Sequence, residues 1–273
     1  MKNINPLLFI DANQYLDLYN PETGTPQLPA LQEQSAHIFV TTMIVDEVQR
    51  RKVGAAADFL KQKPKKEKEL AHVLLAQITR SEDEVSKTLA ALFAHAIPPT
   101  EDALQRARRR KELGNAPGKK TGPLGDQLNW EQILEQCQEK SAIWIITRDP
   151  DYATTYEGKM FLNAMLYRDL VGKYPRPPEV FCFNNILEGI DHFAKLTMTK
   201  ADKLPSPEKI EEIKKELDLL PPRGWQDTSM DDANMVAILS RRQLSPALWA
   251  TFYSQGDEGW HPGMKPDSDK TDQ

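Results

Sequence analysis

Five carboxylates stand where an α/β chain keeps its chemistry: Asp11, Glu47, Asp126, Asp149 and Asp151. Asp11 ends the apolar run Leu7-Leu8-Phe9-Ile10, which reads as a buried strand of a parallel sheet. In open α/β sheets, ligands and catalytic groups collect at the carboxyl ends of such strands; the other use for Asp11 is to cap the helix that follows. Asp149 and Asp151 follow a second apolar run, Ala142-Ile143-Trp144-Ile145-Ile146, within Thr147-Arg148-Asp149-Pro150-Asp151. Glu47 falls in the first turns of a helix predicted after the strand His37–Thr41, and Asp126 in the first turn of a helix opening at Gly125. Converging acids repel one another, a conflict that a hard divalent cation resolves. An oxygen-only donor set with a half-open shell suits Mg²⁺ or Mn²⁺, which can activate water and shield a phosphodiester during in-line displacement.

Other chemistries lack their residues. His37, His72, His95, His192 and His261 show no paired spacing, and there is no P-loop, GxGxxG or Cys/His zinc cluster. Cys137 and Cys182 lie in a helical and a strand pattern, which predicts reduced, buried thiols rather than a disulfide framework.

The elements that must position the acids follow from periodicity. Strands are expected at 7–10, 37–41, 141–147 and 180–183, with a short helix at 15–19 and a Pro/Gly-punctuated loop at 20–36. Residues 55–113 read as helices broken at Pro64, near Ser81 and at Pro98-Pro99. A basic Gly/Pro loop at 114–125 leads into a helix whose inward face is Trp130, Ile133, Leu134 and Cys137. Trp130 on that face reads as core rather than as a base-stacking group. Further helices are expected at 159–171 and 186–196. This alternation predicts an α/β fold, a parallel sheet flanked by helices. Residues 1–198 form the expected domain with a helical basic insertion at 53–113. Residues 199–273 form a C-terminal helical extension, with helices at 207–219 and 231–254 and a polar, disordered tail.

In bulk the chain has 273 residues, 40% of them hydrophobic and 27% charged, with a net charge of -5. No apolar run approaches the ~20 residues a membrane span needs, and the amino terminus lacks a signal-peptide core, so a cytoplasmic protein without a membrane partner is expected. Charge is uneven. Residues 50–120 hold 17 Lys and Arg against 9 Asp and Glu, and the remainder 18 against 31. Solvated helix faces would explain such a block, and so would a phosphate-binding surface.

Phe9-Ile-Asp11-Ala-Asn13, Asp46-Glu47-Val48, Gly125-Asp126-x-Leu128-x-Trp130-Glu131 and Ile146-Thr147-Arg148-Asp149-x-Asp151-Tyr152 occur in the order and spacing of a PIN-domain nuclease. The chain resembles in particular the PIN-like group with a GD-x-L-x-W-E segment after a basic loop, over about residues 5–197. The resemblance implies a Rossmann-like PIN fold in which Asp11, Glu47, Asp126 and Asp149 bind Mg²⁺ or Mn²⁺ and carry catalysis. It makes Asp151 an auxiliary acid, and Asn13 and Thr147 the polar residues that orient the acids or a water. It further implies an endoribonuclease of single-stranded RNA, often the toxin of a toxin-antitoxin pair. The long insertion and the tail after 199 depart from minimal members of the family.

Beside that site, Arg109, Arg110, Lys111, Lys119, Lys120 and Arg148 are the cations expected to grip a single strand of RNA or, alternatively, DNA. An antitoxin or a second copy of the chain is the other expected partner. The competing reading is a catalytically silent PIN-like RNA- or protein-binding module. A haloacid-dehalogenase-like phosphatase also ends its first strand on an aspartate, but expects a second one where this chain has Asn13.

Overall fold

A computed structural model describes residues 4–61 and 70–218, all within Met1–Ser229, the first of two compact units. The predicted break at Pro64, the helix at 231–254 and the polar tail lie outside the described residues.

Four parallel strands form the central sheet in the order β2-β1-β3-β6: β1 Pro6–Ile10, β2 Ile38–Phe39, β3 Ala142–Ile146 and β6 Glu179–Phe183. Leu7 to Ile10 and all of β3 are buried, as apolar strands covered on both faces must be. Leu8 pairs with Trp144 and Ile10 with Ile146, which brings the carboxyl ends of β1 and β3 level with each other. β2 is shorter than predicted. Val40 instead accepts a hydrogen bond from Ile97 N (2.9 Å), and Thr42 N donates to the Ile97 carbonyl (3.1 Å).

Helices cover the sheet: α1 Ala12–Asp17, α2 Leu28–Glu33, α3 Thr42–Lys61, α4 Ala71–Thr79, α5 Glu84–Phe93, α6 Glu101–Leu113 and α7 Gly125–Gln136, followed by α8 Ala164–Lys173, α9 Ile186–Thr197 and α10 Pro207–Asp218. Their starts follow capping chemistry. Asp83, Thr100, Asn163 and Asn185 each accept a backbone N–H from the first turn of α5, α6, α8 and α9. The predicted break near Ser81 is a left-handed residue (φ 58°), and Gly114 (φ 70°) ends α6. Ile213 and Leu217 of α10 join the hydrophobic core. No helix among the described residues is long and apolar enough to cross a membrane.

Two expectations need correction. The loop at 20–36 holds α2, with Pro29 tolerated at its start, where no intrahelical donor is needed. The helix predicted from Lys159 begins only at Ala164, because an antiparallel hairpin precedes it: β4 Ala153–Tyr156 and β5 Lys159–Leu162. Glu157 and Gly158 both take positive φ (46° and 75°), the two-residue turn geometry that matches strand twist.

Candidate active site

β1 sits at the centre because the chain leaves it towards β2 on one side and lies beside β3 on the other. That reversal is the switch point at which α/β sheets open a ligand crevice. Asp11 and Asp149 follow the two strands that flank it. Asp11 N donates to the Ile146 carbonyl (2.9 Å), continuing the ladder one step past the strand ends.

Asp11 is buried, and three donors hold its carboxylate. Ala12 N reaches Oδ1 at 2.7 Å, while Asn13 Nδ2 (2.6 Å) and Thr147 Oγ1 (2.7 Å) reach Oδ2. Asn13 and Thr147 thus both donate to one oxygen of Asp11. Thr147 Oγ1 also accepts Asp149 N (2.9 Å), and Asp149 Oδ1 accepts Asp151 N (2.8 Å), so one hydrogen-bonded chain runs from the end of β1 through the segment after β3. Asp151 itself is half-buried.

Burial pushes the Asp11 carboxyl up to about 7, with the Glu47 charge adding to it and the Thr147 and Ala12 donors opposing. Asp149 is likewise raised to about 7, by burial and then by Asp11. Glu47 is raised by burial, and the Arg51 guanidinium works against this. That guanidinium lies 2.7 Å from Glu47 Oε1.

Asp126 is tied to Tyr152 through its backbone. The buried Tyr152 hydroxyl donates to the Asp126 carbonyl (3.1 Å), and after burial itself the charges of Asp126, Asp11, Asp149 and Glu47 all resist its ionisation. One phenol is thus within electrostatic reach of all four acids. Among the described residues, no group of three or more His, Cys, Asp or Glu side chains is gathered closely enough to hold a metal ion. The donor chemistry still fits a hard cation: buried carboxylate oxygens that repel one another, one guanidinium among them, at a strand-end crevice.

The residue pattern 8–152 matches a family model described as a PIN domain. The chain belongs to the PIN-domain family. The match runs from β1 to Tyr152 and so contains every one of the five acids. No curated protein and no solved structure matches the chain. PIN domains are generally nucleases, and their nucleases usually use divalent metals.

The expected nucleic-acid cations of this PIN domain divide into two sets. Arg109, Lys119 and Lys120 are exposed and Lys111 is half-buried. Lys119 is near enough to the acids to draw the Asp149 carboxyl downward. Arg110 and Arg148 are committed inside the protein. Arg110 Nε and Nη2 bond Glu131 Oε1 at 3.0 and 2.8 Å, Nη2 lies 2.7 Å from Asp169, and Nη1 donates to the Ala116 carbonyl. Arg148 Nη2 lies 2.6 Å from Asp17 Oδ2, a charge contact without hydrogen-bond alignment, and Nη1 donates to the Leu217 carbonyl. Their acid partners lie on distant segments, so counting cations along the sequence could not reveal the pairing. Trp130 is core as predicted, fully buried with its indole N–H on Asp169.

Sequence reasoning passed over Tyr152 and Arg51. Arg51 carried a signal, since it stands four residues after Glu47 on one helix face. Tyr152 closed the fourth motif of the resemblance without a role of its own, because that role depends on where α7 docks.

Proposed function

We propose that this PIN domain is a metal-dependent endoribonuclease that hydrolyses phosphodiester bonds of single-stranded RNA. Asp11, Glu47, Asp126 and Asp149 are the residues that would hold Mg²⁺ or Mn²⁺. The observation that carries the reading is the hydrogen-bonded chain Asp11–Thr147–Asp149–Asp151 at the switch point of the sheet, with buried Glu47 near enough to raise the Asp11 carboxyl. When bound, the cation supplies a lowered water pKa and charge compensation at the phosphate. The chain's own residues do the rest. Thr147, Asn13 and Ala12 N fix the direction of the Asp11 carboxylate, and the buried walls exclude bulk water. Asp149 Oδ2, opposite the oxygen that accepts Asp151 N–H, is our assignment for the proton that the attacking water gives up. Exposed Lys119 and Lys120, with Arg109, supply positive charge for the strand's phosphates.

The test is incubation with defined single-stranded RNA and single-stranded DNA in Mg²⁺, in Mn²⁺ and in chelator. RNA is cut in the presence of metal and left intact in chelator. Asp11→Asn and Asp126→Asn each lose about 100-fold or more of the rate, the equivalent of a few kcal/mol of transition-state stabilisation, while both variants stay folded by circular dichroism. Undiminished cutting by either variant refutes the assignment. A protein that binds RNA but never cuts it in Mn²⁺ is instead the silent binding module. For the cellular setting we propose the toxin half of a toxin-antitoxin pair acting in the cytoplasm. Expression of the wild-type chain then arrests growth, and expression of Asp11→Asn does not.

A further inference from the structure

The hairpin absent from the sequence-based expectation directly adjoins the acid site. β4 starts at Ala153, the residue after Tyr152, and Asn163 N, just past β5, donates to the Tyr152 carbonyl (2.8 Å). Its pairing sorts the side chains. Ala153 faces Leu162 and Thr155 faces Met160, whereas Thr154 faces Phe161 and Tyr156 faces Lys159. Residues directly opposite share a face of the ribbon. Ala153 is buried and Leu162 and Met160 are half-buried, so that face turns to the protein, although Thr155 near the tip of the hairpin is exposed. The other face, Thr154, Tyr156, Lys159 and Phe161, is wholly exposed, with Tyr156 at 66% and Phe161 at 54%.

Two aromatic rings side by side on an open sheet face form an exposed apolar patch of the kind that marks a binding surface. They match the way sheet surfaces take up single strands, with rings under unstacked bases and cations beside the phosphates. Tyr156 and Phe161 are diagonal neighbours, about 7–8 Å apart, a spacing that suits bases splayed singly rather than stacked on each other. From Ala153 to Tyr156 the strand runs about 10 Å, which is the reach of a few nucleotides from the acids. Lys119 and Lys120 are exposed on the basic loop that also serves the acid site.

We infer that the outward face of the β4–β5 hairpin is a stacking platform for the single-stranded RNA that enters or leaves the acid site. Tyr156 and Phe161 each carry one base, and Lys159 meets the backbone. The inference rests on the nuclease reading for its substrate, but its test is a binding measurement. Fluorescently labelled single-stranded RNA is titrated in the Asp11→Asn background, which removes cleavage, and Tyr156→Ala and Phe161→Ala are added singly and together. Each alanine weakens binding about 10-fold, Tyr156→Phe restores it, and thermal unfolding does not move because both side chains are exposed. Unchanged affinity in the double variant overturns the platform, even where the wild-type chain cuts RNA. Weakened binding supports it, even where no cleavage is seen. A shift in sedimentation from dimer to monomer with RNA affinity intact also overturns it, and assigns the face to a second copy of the chain.

Discussion

Asp11 and Asp149 keep their protons more tightly in the folded chain than in the unfolded one, because burial, with the charge of Glu47 on Asp11 and of Asp11 on Asp149, raises both from ~4 to about 7. The sign of the pH dependence follows. Between about pH 4 and 7 the unfolded chain releases these protons while the folded chain retains them, so rising pH favours unfolding. In chelator, the melting temperature is expected to gain a downward contribution across that window and to level off above it. Asp11→Asn, which has no carboxyl to ionise, should show a shallower fall, and a thermal melt series in pH checks this directly. The acids themselves were legible because a charged group at the end of an apolar run is conspicuous. Tyr152 was not, because what makes it informative is the set of distant charges it feels.

The elements show where local signals suffice. β1 and β3 could be read because strands buried on both faces carry unbroken apolar runs, β6 because its half-buried residues 180–183 are apolar throughout, and α5, α6 and α9 because of their helical periodicity. The hairpin escaped because Lys159–Leu162 runs straight into the apolar spacing of α8, and the turn at Glu157-Gly158 lacks the usual Asn-Gly or Asp-Gly pair. The α6–α7 contact carries a prediction of its own. Arg110, with its side chain 9% exposed, links Glu131 and Asp169 to the start of the basic loop. Arg110→Ala leaves those acids short of a partner and is expected to cost about 3 kcal/mol, read as a lower midpoint in urea unfolding. An RNA-gripping role would instead give a loss of affinity at unchanged stability.

Across the whole molecule, the charge summed along residues 50–120 overstates what is free to meet a ligand. Arg51, Arg106 and Arg110 are paired with Glu47, Glu131, Glu135 and Asp169, and Lys52 is buried on Ser81. A sum over sequence sees such cations as surface, whereas the fold turns several of them into internal ties. RNA affinity should therefore fall with salt through only a few contacts. Replacing Lys119 and Lys120 together with alanine lowers the log–log salt slope by about 1.4, at ~0.7 per phosphate contact on a single strand, as titrations at several salt concentrations would record. Finally, Asp11 N donates to the Ile146 carbonyl, so the aim of the proposed metal-binding carboxylate is inherited from strand alignment. Successive residues of a strand point to opposite sides, and a chain that paired β1 with β3 one position out would lose its chemistry wholesale, however much helix its spectrum displayed.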